Sequence, residues 1–253
     1  MTDVDEIAIG IPATESVYAR FVKSFLEDLR IPTDVPRKVV VGSVVHTAHN
    51  DLVKWFLEET HARRLLLLET DHQFPPNLLE RVRNYTEPVT GALYYGRGDP
   101  HMPLAFVPNP HQKQPDGEYV SWINDDGVWA GDWKGGKLTP IWPSLEEEWR
   151  RLGQLQRVCV VPMGCTAIRR DVLEDWPAGV PYFLQDYYDG SIRTDDVYFC
   201  HQVVQQGHHV YLDCGVELSH MALTLITHET YRERLRRRAE ELELVPQRRR
   251  YPW

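Results

Sequence analysis

Apolar and polar positions alternate in blocks along the first hundred residues. Ile7-Ala8-Ile9-Gly10-Ile11 is a short apolar run stopped by Pro12, and it predicts a strand. Val17, Phe21, Phe25 and Leu29 then recur at helical spacing. Lys38 to Val45 is rich in β-branched residues and predicts a second strand. Leu52, Trp55, Phe56 and Thr60 mark a second helix. Leu65 to Leu68 predict a third strand, apolar at consecutive positions as a strand covered on both faces must be. Pro75-Pro76 opens a helix through Leu78, Leu79 and Val82, because proline is tolerated in a first helical turn, and Val89 to Tyr95 predicts a fourth strand. An order of β-α-β-α-β-α-β implies a parallel sheet flanked by helices.

From Arg97 to Trp149 the periodicity stops. The stretch is dense in Pro, Gly, Trp and Asp, the composition of a binding loop or lid rather than of regular elements. Order returns as strands at Val158 to Val161 and Cys165 to Ile168, a short helix from Asp171 to Trp176, a helix from Thr194 to Gln206, and a strand at Val210-Tyr211-Leu212. Tyr231 to Arg250 is an Arg/Glu-rich amphipathic segment. The expected organisation is one α/β domain over 1–225, carrying an insert over 97–157, followed by a basic C-terminal helix and tail over 226–253.

Charge narrows the partners. The 253 residues carry 28 Lys+Arg and 37 Asp+Glu, a net charge of −9, which argues against a protein that coats nucleic acid with a broad basic face. The longest purely aliphatic run, Leu65 to Leu68, is far short of the roughly 18 apolar residues that span a bilayer. The acidic start Met1-Thr2-Asp3-Val4-Asp5-Glu6 is unlike a leader peptide. Cys159, Cys165, Cys200 and Cys214 have no zinc-finger spacing and read as reduced thiols, so a cytoplasmic location is expected.

Three segments carry candidate chemistry. In Leu68-Glu69-Thr70-Asp71-His72 a buried strand ends in two carboxylates one residue apart, where ligands of open α/β sheets bind. Side chains alternate faces, so Glu69 and Asp71 project to one side and can hold a hard divalent cation. In Thr194-Asp195-Asp196 two carboxylates stand at a helix start, where they serve either the helix dipole or, for Asp195, as a general base supported by Asp196. His220, in Glu217-Leu218-Ser219-His220, is an imidazole that can complete a cation site with carboxylates. The other histidines, His49 among them, read as polar residues without special chemistry; His72 is set apart because it adjoins Asp71. Gly131 to Lys137 matches a phosphate-loop spacing, but Leu138 replaces the Ser/Thr that the loop requires, so it is set aside.

Taken in order, these segments resemble nucleotide-sugar-dependent glycosyltransferases of the GT-A fold, closest to the inverting, family-two-like group. The likeness covers residues 7 to 221. Ile7 to Pro12 is similar to the family's opening strand and nucleotide loop, Glu69-Thr70-Asp71 to its DxD segment, Met163 to Arg170 to the glycine-containing strand beside the acceptor, and Thr194 to Cys200 to its acidic catalytic helix. His220 falls where many members place a metal-ligating histidine. Glu69 stands in place of the first DxD aspartate, Asp195 in place of the usual glutamate, and His49-Asn50 where many relatives carry Arg-Asn.

The resemblance implies a GT-A, Rossmann-like, mostly parallel mixed sheet. It implies transfer of a sugar from a nucleoside-diphosphate sugar, a UDP-sugar above all, to an acceptor hydroxyl with inversion. Pro12, Ala13, Thr14, Glu15, Asn50, Glu69, Thr70 and Asp71 would contact the donor. Asp71, His220 and Glu69 would hold Mn²⁺ or Mg²⁺. Asp195 and Asp196 would be catalytic, and Gly164, Trp129 and Trp133, with Trp122 and Trp142 as further apolar faces, would meet the acceptor. That acceptor is a glycan or, in a second reading, a hydroxymethylated base in phage-type DNA, for which Arg234, Arg236, Arg237, Arg238, Arg248, Arg249 and Arg250 could track phosphates. A non-catalytic sugar-nucleotide-binding protein is the alternative of another class.

Overall fold

The computed structural model describes residues 6–97, 102–108, 138–141, 155–188 and 191–222. In chain order the elements begin with β1 (Ile7–Ala13), α1 (Ala19–Lys23), a π-helical turn over Ser24–Asp28, β2 (Arg37–Val41), α2 (Val45–Glu59) and β3 (Arg64–Leu68). Then follow β4 (His72–Gln73), α3 (Leu78–Arg83), β5 (Val89–Leu93), β6 (Phe106–Pro108), β7 (Leu138–Pro140), β8 (Leu155–Val158) and β9 (Cys165–Arg169). The remainder is α4 (Arg170–Glu174), β10 (Asp186–Tyr188), β11 (Ser191–Arg193), α5 (Asp195–Gln205), β12 (Val210–Glu217) and β13 (Ser219–His220).

Seven strands form the central sheet in the order β2-β1-β3-β9-β5-β12-β8. β1 pairs in parallel with β2 and β3, and β5 with β12. β9 enters antiparallel between β3 and β5, and β8 closes the far edge antiparallel to β12. Of the four early strands three are contiguous, in the order β2-β1-β3, and all four run parallel. A strand arriving from residues 165–169, after the long excursion, separates the third from the fourth. The sheet is mixed, with five of its seven strands pointing one way.

Two further expectations are corrected at element ends. The strand read over Lys38 to Val45 stops at Val41, because Gly42 takes φ +78° and Val45 already opens α2. The strand read at Val210 to Leu212 continues to Glu217, carrying a fully buried Asp213 that broke the apolar pattern. Arg81 donates to both carboxylate oxygens of Asp213 at 2.9 and 2.8 Å, and the Tyr85 hydroxyl donates at 2.7 Å, so the buried charge is paired and hydrogen-bonded.

Alternation along β3 explains its unbroken leucines. Leu65 and Leu67 pack on one face with Leu52, Val53 and Phe56 of α2 and with Phe199 and Val203 of α5. Leu66 and Leu68 pack on the other face with Phe21, Phe74, and Leu78, Leu79 and Val82 of α3. Each buried leucine contributes about 1.5–3 kcal/mol of hydrophobic stabilisation, which fixes this strand as the axis of the sheet. The parallel strands β1 and β3 thus deliver Ala13 and Glu69 to one end of the sheet. At that end β4 and β13 form a small antiparallel ladder in which His72 and His220 are direct partners.

Candidate active site and metal centre

Beyond β3 the Glu69 amide donates to the Gly164 carbonyl at 3.0 Å, and the Met221 amide donates to the Asp71 carbonyl at 2.8 Å. These bonds tie the end of β3 to β9 and to β13, and they bring three ligand-type side chains together. Asp71 Oδ1 is 2.7 Å from His72 Nδ1, and Asp71 Oδ2 is 3.5 Å from His220 Nε2. One ligand atom from each of Asp71, His72 and His220 lies within 4.8 Å of the other two. The His72 and His220 rings stack in parallel, with centroids 4.6 Å apart. The Arg97 guanidinium also contacts Asp71 Oδ2.

The hydrogen-bond inventory shows that this group fits a cation. His220 Nδ1 lies 2.7 Å from the Tyr95 carbonyl, which can only accept, so Nδ1 carries a proton and Nε2 is the ring atom that faces Asp71. His72 is fully buried, and both its ring nitrogens, like Asp71 Oδ1, lack a hydrogen-bond partner despite the close Nδ1 contact. Burial pushes the Asp71 carboxyl upward, but His220, His72 and Arg97 outweigh it and hold the group well below the usual carboxylate range. Burial lowers His72 in spite of Asp71. A carboxylate beside two imidazoles, which bind metals through a deprotonated ring nitrogen, is a donor set suited to a divalent ion such as Mn²⁺.

A second cluster adjoins it. α5 begins after Thr194, whose extended backbone places it at the N-cap; its hydroxyl donates to Asp196 rather than accepting from the helix. Asp196 accepts the Val197 amide at 2.8 Å. Asp195 Oδ2 instead lies 3.1 Å from Nδ1 of His49, a fully buried residue of α2 whose ring packs on Phe183 at 4.7 Å. His49 Nε2 is 3.8 Å from Glu69 Oε1, beyond hydrogen-bond length, and has no hydrogen-bond partner. Burial, then Asp71, Asp195 and Asp196, raise the Glu69 carboxyl to about 8. Burial and Asp195 also raise Asp196, against its bonds to Thr194 and Val197.

Between the clusters and the β1 loop runs a cleft of about 200 Å³, lined by Pro12, Ala13, Thr14, Ser43, Val45, Glu69, Thr70 and Asp71. Pro12, Ala13, Thr14, Glu69, Thr70 and Asp71 are thus brought to one surface. Glu15 is exposed outside that lining. Asn50 is engaged elsewhere: its amide donates to the His46 and Phe183 carbonyls at 2.7 Å each and accepts from the Tyr182 and Phe183 amides at 3.0 and 3.2 Å. It clamps the 182–183 loop to α2. Gly164 is buried against His72 and Tyr94, where a Cβ would lie 2.5 Å from each. Trp122, Trp129, Trp133, Trp142 and the arginines of the C-terminal segment lie outside the described residues.

The roles of His49 and His72 are not marked by any motif in the chain. His49 carried a signal, since it shares the apolar stripe of α2 with Leu52, Val53 and Phe56, and a polar residue on such a stripe requires a buried partner. The signal of His72 was only its adjacency to Asp71.

No protein-family model matches the chain, and no curated protein sequence does. Solved structures do. The crystal structure of A197 from STIV aligns with a TM-score of 0.50 at 16% identity, over 86% of this chain and 86% of that one. The crystal structure of GalNAc-T7 with UDP, GalNAc and Mn²⁺ aligns with a TM-score of 0.45 at 12% identity, over 86% of this chain and 43% of that one. The seven-stranded, mostly parallel mixed sheet with flanking helices is an α/β fold of the GT-A, Rossmann-like kind. No helix among the described residues is long and apolar enough to cross a membrane.

Proposed function

We propose that the chain is a metal-dependent glycosyltransferase that moves a sugar from a nucleoside-diphosphate sugar, a UDP-sugar first, to an acceptor hydroxyl with inversion. One observation carries this reading: Asp71, His72 and His220 converge at the strand end that also borders the cleft under β1. These three residues would hold Mn²⁺ or Mg²⁺, and the cation supplies Lewis-acid neutralisation of a departing diphosphate. Pro12, Ala13 and Thr14 wall the place of the base and ribose. Asp195 accepts the proton of the acceptor hydroxyl. His49, donating from Nδ1 to Oδ2, holds that carboxylate in one orientation and leaves its other oxygen to take the proton. Asp196, tied to Thr194 and Val197, fixes the start of the helix that carries the base. The catalytic unit spans 1–225, with 226–253 an appendage.

The acceptor class favoured is a glycan; a hydroxymethylated DNA base is the other acceptor compatible with this chemistry. Incubation with UDP-sugars tests the proposal, with Mn²⁺ in one arm and a chelator in the other. Release of UDP that needs the metal and is lost in Asp71→Ala supports it. Donor binding without any turnover, across sugars and acceptors, would leave a non-catalytic binding protein instead.

A further inference from the structure

A larger cavity, about 520 Å³, lies at the opposite end of the sheet and has no part in the chemistry above. β3 links the two places: Arg64 begins the strand and lines this cavity, while Glu69 follows its end and lines the cleft. Five residues at about 3.3 Å each separate them by roughly 17 Å. The lining holds five arginines (Arg63, Arg64, Arg83, Arg169 and Arg170) and three carboxylates (Glu6, Asp171 and Glu174).

Three features make this more than a solvated basic surface. First, β3 and β9 pair so that Arg64 stands directly opposite Arg169, and like charges in facing register destabilise a sheet. Second, their compensation is unequal. Arg169 forks onto Asp171 at 2.6 Å through Nε and Nη2, whereas the hydrogen bonds of Arg64 go to the Glu87 and Tyr85 carbonyls, which carry no full charge. Arg64 is only 8% exposed, and burial, then Arg169, depresses its guanidinium against the opposing pull of Glu87, Asp171 and Glu6. Third, Arg83 Nε is buried and has no hydrogen-bond partner. A buried guanidinium N–H without an acceptor, in a lining shared with the facing pair Arg64 and Arg169, leaves room for an oxyanion to accept from it.

We propose that this arginine-lined cavity at the amino end of β3 binds a phosphate group of a small soluble ligand. Guanidinium forks match phosphate oxygens in geometry, and a phosphate supplies negative charge to a lining in which arginines outnumber carboxylates. The site is separate from the cleft and needs no divalent metal.

Isothermal titration calorimetry of the full chain with inorganic phosphate and with pyrophosphate, in chelator and at fixed ionic strength, tests it. Saturable one-site binding is expected. Arg83→Gln, at a half-buried position, is expected to fold normally and to weaken binding about tenfold, the loss of one charge-assisted bond. Arg64→Met is expected to weaken it further; if that variant does not fold, Arg83→Gln alone decides. Asp71→Ala, in the other site, is expected to bind phosphate as the unaltered chain does. Absence of saturable binding, an unchanged affinity in Arg83→Gln, or loss of binding in Asp71→Ala would each overturn the proposal.

Discussion

His49 and Asp195 stand 146 positions apart in the chain, yet Nδ1 of one lies 3.1 Å from Oδ2 of the other. α2 supplies the ring from a fully buried position, and the first turn of α5 supplies the carboxylate. A buried imidazole with one nitrogen on a carboxylate is an orienting device: it fixes the rotamer of the acid while the ring itself is held by Phe183.

That arrangement predicts unequal effects for the two residues. Asp195→Asn is expected to lower kcat by about 10²- to 10⁴-fold, the usual contribution of a general base, with donor affinity retained. His49→Ala is expected to lower kcat by a smaller factor, about tenfold, with the KM for donor unchanged. Steady-state kinetics check both. A His49→Ala enzyme that loses donor affinity and turnover together would make His49 a packing residue only.

His220 is placed for ligation by two partners: the Tyr95 carbonyl accepts from its Nδ1–H at 2.7 Å, and Asp71 lies 3.5 Å from Nε2. His220→Ala is expected to weaken Mn²⁺ binding at least about tenfold, a ligand's worth of affinity. His220→Gln cannot reproduce the lone pair of Nε2 and is expected to do little better. Titration of Mn²⁺ by electron paramagnetic resonance reads this directly, without an acceptor. Equal affinity in the variant would remove His220 from the ligand set.

Much of this frame was readable from the chain. β1, β3 and α2 announce themselves because their apolar residues are continuous or helically spaced, which is what burial on two faces or one face demands. β9 is legible as a strand, but nothing in Cys165 to Ile168 says that it runs antiparallel between β3 and β5. The apolar pattern of β12 ends before Asp213, a charge whose partners Arg81 and Tyr85 are local only in three dimensions. The same distinction applies at the site. Asp71 and His220 were joined in the reading by motif order, and the chain sets them side by side. His49 and Asn50 have roles fixed by contacts more than a hundred positions away, to Asp195 and to the 182–183 loop. No short motif encodes them.

Gly164 offers a packing test of the metal centre. Its amide donates to the Tyr94 hydroxyl at 3.0 Å, and a Cβ there would lie 2.5 Å from both His72 Cε1 and that hydroxyl oxygen. Gly164→Ala must push the His72 ring or the Tyr94 ring aside. The expected cost is about 1–3 kcal/mol of stability, as for other overpacked cores, together with weaker Mn²⁺ binding. Chemical denaturation and metal titration measure the two effects. A variant as stable as the parent would mean that the ring pocket gives way freely.

The acidity of Glu69 makes stability depend on pH in a definite sense. Burial, with Asp71, Asp195 and Asp196 nearby, raises its carboxyl from the ordinary 4.5 to about 8. The folded chain therefore holds this proton more tightly than the unfolded chain does. The resulting stabilisation is fully present below pH 4.5 and is withdrawn as pH rises toward 8, where the native state must carry a partly desolvated negative charge among other carboxylates. Glu69→Gln has a similar shape and no proton to lose. In metal-free buffer the urea midpoint of the parent is expected to fall relative to that of Glu69→Gln across this window, and the gap to stop widening above it. A constant gap from about pH 5 to about pH 9 would mean that Glu69 titrates in the folded chain as it does in the unfolded one. The field of the four carboxylates would then be relieved by some arrangement other than a shared proton.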